Sequence, residues 1–146
     1  MDSMLSVDGI VLNLPGEDRE AVIKRCGAML VEAGYAKERY IEGMLARDNA
    51  FSCAIGNGIA IPHGEVDYKP EILKTGFVVL TYPGGIEWHG QTIYLVIGIA
   101  ARGEEHLDII GNIVDYFDTE DDVKNFLTIT DKEKIRAIFC GKGAQA

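Results

Sequence analysis

The sequence predicts an α/β fold, in which a small set of strands forms a single mixed β-sheet covered by helices. Amphipathic helical patterns occur before, between and after a small set of strand-like segments. Not every pair of these strands has a helix between its members, which favours a mixed sheet over a purely parallel one. The chain of 146 residues is long enough to bury its own core, so we expect residues 1–146 to form a single domain.

Two helices are predicted in the first third of the chain. The segment 14–34 carries acidic residues near its start, and Gly34 provides a C-terminal stop. A second helical pattern at 36–48 has Arg47 in its last turn. The apolar side chains at helical spacing are Val22, Cys26, Met29, Leu30 and Ala33 in the first pattern and Ile41, Met44 and Leu45 in the second.

The middle of the chain predicts short strands and tight turns, followed by two longer strands. Glycines and Pro62 interrupt residues 51–66. Residues 75–83 and 91–102 are rich in β-branched and aromatic residues, and the segment 83–90 between them is typical of a hairpin-like connection. Because residues 91–102 are apolar at nearly every position, we expect this strand at the centre of the sheet with both faces covered.

A helix that begins near His106 and two shorter helices complete the predicted elements. The shorter helices are expected at 119–127 and 131–139, and Thr130 with Glu133 has the T-x-x-E form of a capping box. The apolar residues of the longer helix follow one another at steps of three, four and three: Leu107, Ile110, Val114 and Phe117.

Composition and charge argue against several classes of protein. Lysine and arginine total 14 against 23 aspartate and glutamate residues, a net charge of -9, and no basic patch is visible that could hold a nucleic-acid backbone. This acidity suits either a basic partner protein or solubility alone. The longest apolar run, around residues 95–101, is far shorter than the ~20 residues of a membrane helix. The three cysteines lie far apart, without a CxxC pair or a secretion signal, so we expect a cytoplasmic protein with reduced thiols.

His63, in the stretch IAIPHG, is the first candidate for chemistry. A neutral imidazole can accept a phosphoryl group near pH 7 and release it again as a good leaving group once protonated. Pro62 and Gly64 place the ring at the end of a strand with little bulk around it. From these residues alone, a histidine that merely caps the strand end by hydrogen bonding is an equally good interpretation.

His106 and Arg47 are candidates for binding an anion. His106 lies at the predicted N-terminus of a helix, where backbone N–H groups and the positive end of the helix dipole suit phosphate. Arg47 ends a helix and can donate a two-pronged hydrogen bond to phosphate oxygens. Spacing by itself favours simpler interpretations, namely a solvent-facing histidine beside Glu104 and Glu105 and an ordinary helix-ending arginine.

No other feature predicts a functional group. We expect His89 to be solvated in the turn EWHG, Trp88 to pack at the sheet edge and Cys53 to be a small buried residue. The histidines have neither HxxxH nor HxH spacing, and no acidic cluster resembles a calcium or magnesium loop, so no metal is expected. The stretch GNG at 56–58 is too short for a dinucleotide fingerprint, and no cofactor is expected.

Residues 48–64, DNAFSCAIGNGIAIPHG, resemble position by position the phosphorylation-site signature of the mannitol/fructose class of enzyme IIA in the bacterial phosphoenolpyruvate-dependent sugar phosphotransferase system. The stretches MLARD, KTGFVVLTYPGGIEW and LVIGIAARGEEHLDII are also similar to mannitol-type members, so the resemblance covers nearly the whole chain. It implies a mixed five-stranded sheet with helices on both sides. The signature positions are Asp48, Ile55, Gly56, Ile59, Ala60, Ile61, Pro62, His63 and Gly64.

The resemblance also implies a phosphotransferase activity and roles for three side chains. His63 would be the phosphorylated residue, as a tele-phosphohistidine intermediate, and Arg47 and His106 would line the active site. The phosphoryl donor would be the small carrier protein HPr, and the acceptor a cysteine of enzyme IIB that serves the membrane permease enzyme IIC. The chain would be a free-standing enzyme IIA for mannitol or a related sugar. Relative to that family, His89 is an additional histidine.

Two other functions remain open at this point. Some relatives of the fold are regulatory and control other proteins according to the phosphorylation of the histidine, although the mannitol-like segment 95–106 argues against this interpretation. A histidine-dependent hydrolase is less well supported, because no serine or cysteine nucleophile with a companion base follows from the spacing. Transfer of phosphate to a cysteine of enzyme IIB distinguishes the carrier from the regulator.

Overall fold

The computed structural model of the protein describes residues 4–102 and 105–141, and the side chains of residues 105, 106, 140 and 141 lie outside the description. Short 3₁₀ helices lie at Val7–Gly9 and Val66–Glu71, and a π-helical segment lies at Ala137–Gly141. The strands and helices are, in chain order, β1 (Ile10–Val11), α1 (Arg19–Glu32), α2 (Tyr40–Ala50), β2 (Ala54–Gly56), β3 (Ile59–Ala60), β4 (Gly76–Trp88), β5 (Gln91–Ala100), α3 (Glu105–Tyr116), α4 (Glu120–Phe126) and α5 (Lys132–Arg136).

The five strands form one mixed sheet in the order β1-β4-β5-β3-β2. Strands β4 and β5 pair antiparallel, and β2 pairs antiparallel with β3. The parallel pairs are β1 with β4 and β3 with β5. The central strand is therefore β5, as its continuous apolar run predicts, and the prediction of a mixed five-stranded sheet is confirmed.

Helices cover both faces of this sheet. Side chains alternate along β4, so that Val78 and Leu80 point into one core while Phe77 and Val79 point into the other. The first core is closed by α1 and α2, and the second by α3, α4 and α5. The members that these helices bury include Cys26, Leu30 and Met44 on the first side and Ile109, Ile113, Phe117, Phe126 and Ile135 on the second.

Local signals define the two ends of α1. The Asp18 carboxylate caps the N-terminus by accepting a hydrogen bond from the Ala21 N–H at 2.8 Å. Beyond the C-terminus, Gly34 has a φ of 85°, which confirms the predicted stop. Gly27 allows α2 to approach closely, because a Cβ at this position would lie 2.5 Å from Ile41 Cγ1.

Helix α2 buries a different face from the predicted one. Met44 is buried as expected, but Ile41 and Leu45 are only half-buried. The residues buried instead include Tyr40 and Asp48. Both of these polar side chains find hydrogen-bond partners in the interior, which removes the cost that otherwise keeps such groups at the surface.

The connection between the two long strands is much shorter than predicted. Residues Ile86 and Trp88 pair with Ile93 and Gln91, so β4 continues through most of the segment expected to be a connection. The irregular stretch 82–85 shifts the register without ending the strand. Only His89 and Gly90 form the turn, and both have positive φ, as two-residue hairpin turns favour.

Helix α3 lies where it was predicted but turns another side to the sheet. Ile109, Ile113 and Phe117 are buried, whereas Leu107 is 57% exposed and Val114 is 49% exposed. The predicted stripe is therefore wrong at Leu107 and Val114, whereas Phe117 is buried as predicted and Ile110 is half-buried. Apolar residues occupy two neighbouring sides of this helix, and contact with the sheet decides which side is buried.

The capping box belongs to α4 and not, as predicted, to Thr130 and Glu133. Thr119 accepts from the Asp122 N–H, and the Asp122 carboxylate accepts from the Thr119 N–H. Helix α5 begins one residue later than the predicted box requires, so that Asp131 is its N-cap. Within residues 4–102 and 105–141, no helix is both long enough and apolar enough to cross a lipid bilayer.

Candidate functional site

His63 lies just beyond the end of β3 and beside the central strand. It forms an isolated parallel bridge with Ile99, whose N–H donates to the Pro62 carbonyl at 2.9 Å. The half-buried His63 side chain lines a cavity of about 510 Å³. Arg47 and Ala101 line the same cavity, which places the end of α2 and the segment after β5 next to the histidine.

The His63 imidazole is oriented by the backbone of its own segment. Its Nδ1 atom lies 2.8 Å from the Ile61 carbonyl oxygen. A carbonyl oxygen only accepts hydrogen bonds, so Nδ1 carries the proton and the lone pair of the neutral ring is on Nε2. One ring nitrogen thus makes a structural hydrogen bond at the strand end, while the other keeps nucleophilic character.

Arg47 lies in the last turn of α2 and is held beside the residue that ends the helix. Its Nη1 atom donates to the Phe51 carbonyl at 2.6 Å, and the guanidinium carbon lies 5.8 Å from the centroid of the Phe51 ring. A guanidinium has five N–H donors, more than this contact uses, and can still offer a fork to a phosphate in the cavity.

His106 is the second residue of α3, and its backbone therefore lies in the first turn of that helix. The start of α3 at Glu105 agrees with the prediction of a helix beginning near His106. The prediction that the His106 side chain lines the active site concerns a side chain outside the described residues, and it stays a prediction.

Tyr40 is a site residue that the sequence pattern did not indicate. It lines the cavity and is only 2% exposed. Gly64 lets the Tyr40 ring come close, because a Cβ on Gly64 would lie 2.5 Å from Tyr40 Cε1. Burial raises the pKa of Tyr40 to about 12, so the hydroxyl keeps its proton at neutral pH. The contact joins residues far apart in the chain, and no local periodicity signals it.

The remaining wall of the cavity comes from the 3₁₀ helix Val66–Glu71 and the residue before it. Glu65, Val66, Asp67 and Lys69 all line the cavity. Val66 is 75% exposed, so this wall forms part of the protein surface. The residue pattern did not predict this helix, which is short and contains Pro70.

A buried carboxylate near the end of α2 joins four parts of the fold. Asp48 is fully buried, and its Oδ1 accepts from the Cys53 N–H at 2.8 Å and from Trp88 Nε1 at 2.9 Å. Its Oδ2 accepts from Arg19 Nη1 at 2.6 Å and from His89 Nε2 at 2.9 Å. Burial raises the pKa of Asp48, but these four hydrogen bonds outweigh that effect and bring the pKa below its usual value.

This network corrects the prediction for His89 in the β4–β5 turn and defines the surroundings of Trp88. His89 is not simply solvated, since it pairs with Asp48 and its side chain is 33% exposed. Trp88 is fully buried in the first core at the end of β4, where its indole N–H donates to Asp48. Cys53 is buried as predicted, and burial raises its pKa to about 12.

Comparisons with known proteins agree with this fold and show the family of the chain. A family model described as "Phosphoenolpyruvate-dependent sugar phosphotransferase system, EIIA 2" matches residues 3–141. A mannitol-specific phosphotransferase enzyme IIA component from Halalkalibacterium halodurans is 35% identical over 137 residues, which cover 94% of this chain and 94% of that protein. A multiphosphoryl transfer protein from Escherichia coli O157:H7 is 40% identical over 132 residues, or 88% of this chain, but the chain spans only 35% of that protein's length.

A solved structure is similar over the same extent. In the complex of enzyme IIAMTL and phosphorylated enzyme IIBMTL from Escherichia coli, the matching chain has a TM-score of 0.85 and 31% identity, covering 93% of this chain and 96% of that one. The resemblance inferred from residues 48–64 and their surroundings is confirmed by these matches, which extend far beyond the His63 segment. The chain belongs to the EIIA 2 family of the phosphoenolpyruvate-dependent sugar phosphotransferase system.

Proposed function

We propose that the protein is a phosphoryl carrier, which accepts a phosphoryl group on His63 from phosphorylated HPr and passes it to a cysteine of enzyme IIB. The orientation of the His63 ring carries this proposal, since Nδ1 donates to Ile61 and the Nε2 lone pair belongs to a side chain that lines an open cavity. The names of the similar proteins favour mannitol or a related sugar. The proposed location is the cytoplasm, with enzyme IIB linking the protein indirectly to the permease enzyme IIC.

The first transfer uses the Nε2 lone pair as the nucleophile. Nε2 attacks the phosphorus of the phosphohistidine of HPr, a new N–P bond forms, and the old N–P bond breaks with its electron pair returning to the HPr imidazole. The His63 ring retains its Nδ1 proton during this step. The phosphorylated ring is therefore an imidazolium, whose N–H points to the Ile61 carbonyl oxygen at 2.8 Å.

The second transfer uses the same ring as the leaving group. The thiolate sulfur of the enzyme IIB cysteine attacks phosphorus, the S–P bond forms, and the N–P electron pair returns to Nε2. Because the ring leaves as neutral imidazole, no further proton is needed at this step. The protein's task is to position the groups and to stabilise charge on the phosphoryl oxygens, for which we propose Arg47 and the N-terminus of α3 with His106.

Reconstitution tests the proposal directly. The protein is incubated with phosphoenolpyruvate, enzyme I and HPr, and peptides are then examined by mass spectrometry. We expect one added phosphate on the peptide containing His63, which disappears when HPr is omitted. Addition of enzyme IIB should then move the phosphate to its cysteine. Phosphate that stays on His63 would favour a regulatory protein controlled by phosphorylation, and failure to add any phosphate would contradict the proposal.

Arg47→Ala is expected to lower the rate of phosphoryl transfer roughly a hundredfold, since it removes a donor to the phosphoryl oxygens. We also expect the substitution to destabilise the phosphorylated protein more than the unphosphorylated protein. Hydrolysis of the isolated phosphoprotein should accordingly be faster than in the unsubstituted chain. The matched control is Arg39→Ala, which removes an arginine whose side chain is 65% exposed and lies at the other end of the same helix. Equal hydrolysis rates in both variants would argue against this role for Arg47.

His106→Ala is expected to fold normally and to slow the transfer from His63 to enzyme IIB by roughly a hundredfold, the usual cost of losing one donor in such a transition state. The variant loses the side chain that we propose as a donor at the first turn of α3, and it keeps the backbone dipole that favours an anion there. Rapid-quench measurement of phosphate on the two proteins gives the rate. An unchanged rate would leave His106 as an ordinary residue of the first helical turn.

A further inference from the structure

Both peptide groups that flank His63 are connected to a single residue of the central strand. On one side, the Ile99 N–H donates to the Pro62 carbonyl at 2.9 Å. On the other side, the Gly64 N–H donates to the Tyr40 hydroxyl at 2.8 Å, and this hydroxyl donates to the Ile99 carbonyl at 2.9 Å. In a regular parallel ladder the Gly64 N–H would donate directly to the Ile99 carbonyl. Here the Tyr40 hydroxyl bridges these two backbone groups.

The Tyr40 hydroxyl is suited to this bridging position. A phenolic hydroxyl both donates and accepts, so it can take the Gly64 proton and give its own to Ile99. Tyr40 is 2% exposed, and its high pKa keeps the donated proton in place at neutral pH. The missing side chain at Gly64 is what admits the ring, since a Cβ would lie 2.5 Å from Tyr40 Cε1.

We propose that Tyr40 is a positioning residue for phosphoryl transfer, which holds the peptide between His63 and Gly64 and thereby aims Nε2 at the phosphorus. This inference rests on the proposed function. The Nδ1 bond to Ile61 restrains the ring, but the ring can only be aimed if the backbone that carries it is held on both sides. Glycine has more backbone freedom than any other residue, so the Gly64 side of His63 depends on the hydroxyl bond.

The test is Tyr40→Phe, which retains the aromatic ring and removes only the hydroxyl. We expect kcat for acceptance from phospho-HPr to fall about tenfold, because a misaligned nucleophile loses near-attack geometry. KM for phospho-HPr should stay within roughly twofold, since the ring still fills its place and the surface is unchanged. A loss confined to KM, or no loss at all in the folded variant, would overturn the inference.

Tyr82→Phe is the matched control. Tyr82 is also fully buried, and its hydroxyl donates to Glu17 Oε2 at 2.7 Å, but it is not one of the residues that line the cavity. Both variants therefore lose the hydroxyl of a buried tyrosine, which takes part in two hydrogen bonds at Tyr40 and donates one at Tyr82. We expect only Tyr40→Phe to lower kcat, and an equal fall in Tyr82→Phe would show that general destabilisation, not positioning, is responsible.

A second measurement applies to the unsubstituted protein and needs no phosphoryl transfer. Hydrogen exchange of the Gly64 amide should be slow if this amide donates to the Tyr40 hydroxyl. Exchange at the rate of an open loop would contradict the inference, even if Tyr40→Phe did not fold.

The proposed function and the role of Tyr40 are contradicted by different results. Absence of phosphate on His63 in the unsubstituted protein contradicts the proposed function, whereas normal acceptance by folded Tyr40→Phe contradicts only the role of Tyr40.

Discussion

His63→Ala is expected to abolish phosphoryl acceptance while the fold survives. The substitution removes Nε2, the atom to which we assign the new N–P bond. Its structural cost is small, because the backbone bond from the Ile99 N–H to the Pro62 carbonyl does not depend on the imidazole. The lost bond from Nδ1 to the Ile61 carbonyl is worth about 1 kcal/mol. Mass spectrometry after incubation with phospho-HPr measures acceptance, and urea unfolding measures stability.

His89→Gln is the matched control for this experiment. His89 is another partly exposed histidine, and its Nε2 is engaged by Asp48 in the β4–β5 turn. We expect His89→Gln to acquire one phosphate on the peptide containing His63, as the unsubstituted protein does. An acid-labile phosphate on His63→Ala would refute the assignment of His63, and its appearance on the His89 peptide would identify the true acceptor.

Asp48→Ala is expected to cause the largest loss of stability, about 3–5 kcal/mol, because it removes one partner from a buried set of charged and polar groups. The Trp88 indole N–H and the Cys53 N–H would lose their acceptor in the interior. Arg19 would lose the carboxylate that it contacts at 2.6 Å. Urea unfolding at pH 7 provides the measurement.

Glu42→Gln is the matched control for Asp48→Ala, since Glu42 lies on the same helix but is exposed. We expect this control to change stability by no more than roughly 0.5 kcal/mol.

The contribution of Asp48 to stability depends on pH. The pKa of Asp48 is lowered in the folded protein, so this contribution is complete above its unfolded pKa of about 3.9 and is lost as the pH falls through the folded pKa. The difference in unfolding free energy between the unsubstituted protein and Asp48→Ala should therefore shrink below about pH 4. A difference that does not change with pH would contradict this account.

Predictions that depend on local sequence agree well with the structure. Gly34 ends α1 as predicted, and Asp18, which was expected within the first turn, acts nearby as the N-cap that precedes Arg19. The central position of β5 follows from an apolar run with no polar side to expose. The strand-end location of His63 follows from Pro62 and Gly64, whose backbone preferences do not depend on distant contacts.

Predictions that depend on which neighbours meet were less successful. Helix α3 carries two apolar sides, and only its contact with the sheet selects Ile109 and Ile113 over Leu107 and Val114. The β4–β5 turn is restricted to His89 and Gly90 because Ile86 and Trp88 find partners on β5. Tyr40 and Asp48 are polar residues in an amphipathic pattern. That pattern does not indicate that their hydrogen-bond partners lie inside the protein.

The sequence by itself determined the fold class, the family and the histidine proposed to carry the phosphoryl group, because the mixed sheet follows from local patterns and the family from a contiguous signature at 48–64. Only the tertiary structure decided which nitrogen of His63 keeps its lone pair and what holds the ring in place. The bond to Ile61 depends on the backbone conformation just beyond β3, and the Tyr40 bridge joins residues separated by 59 positions. Hydrogen bonds of this kind depend on atoms brought together by packing, and residue spacing does not encode their geometry.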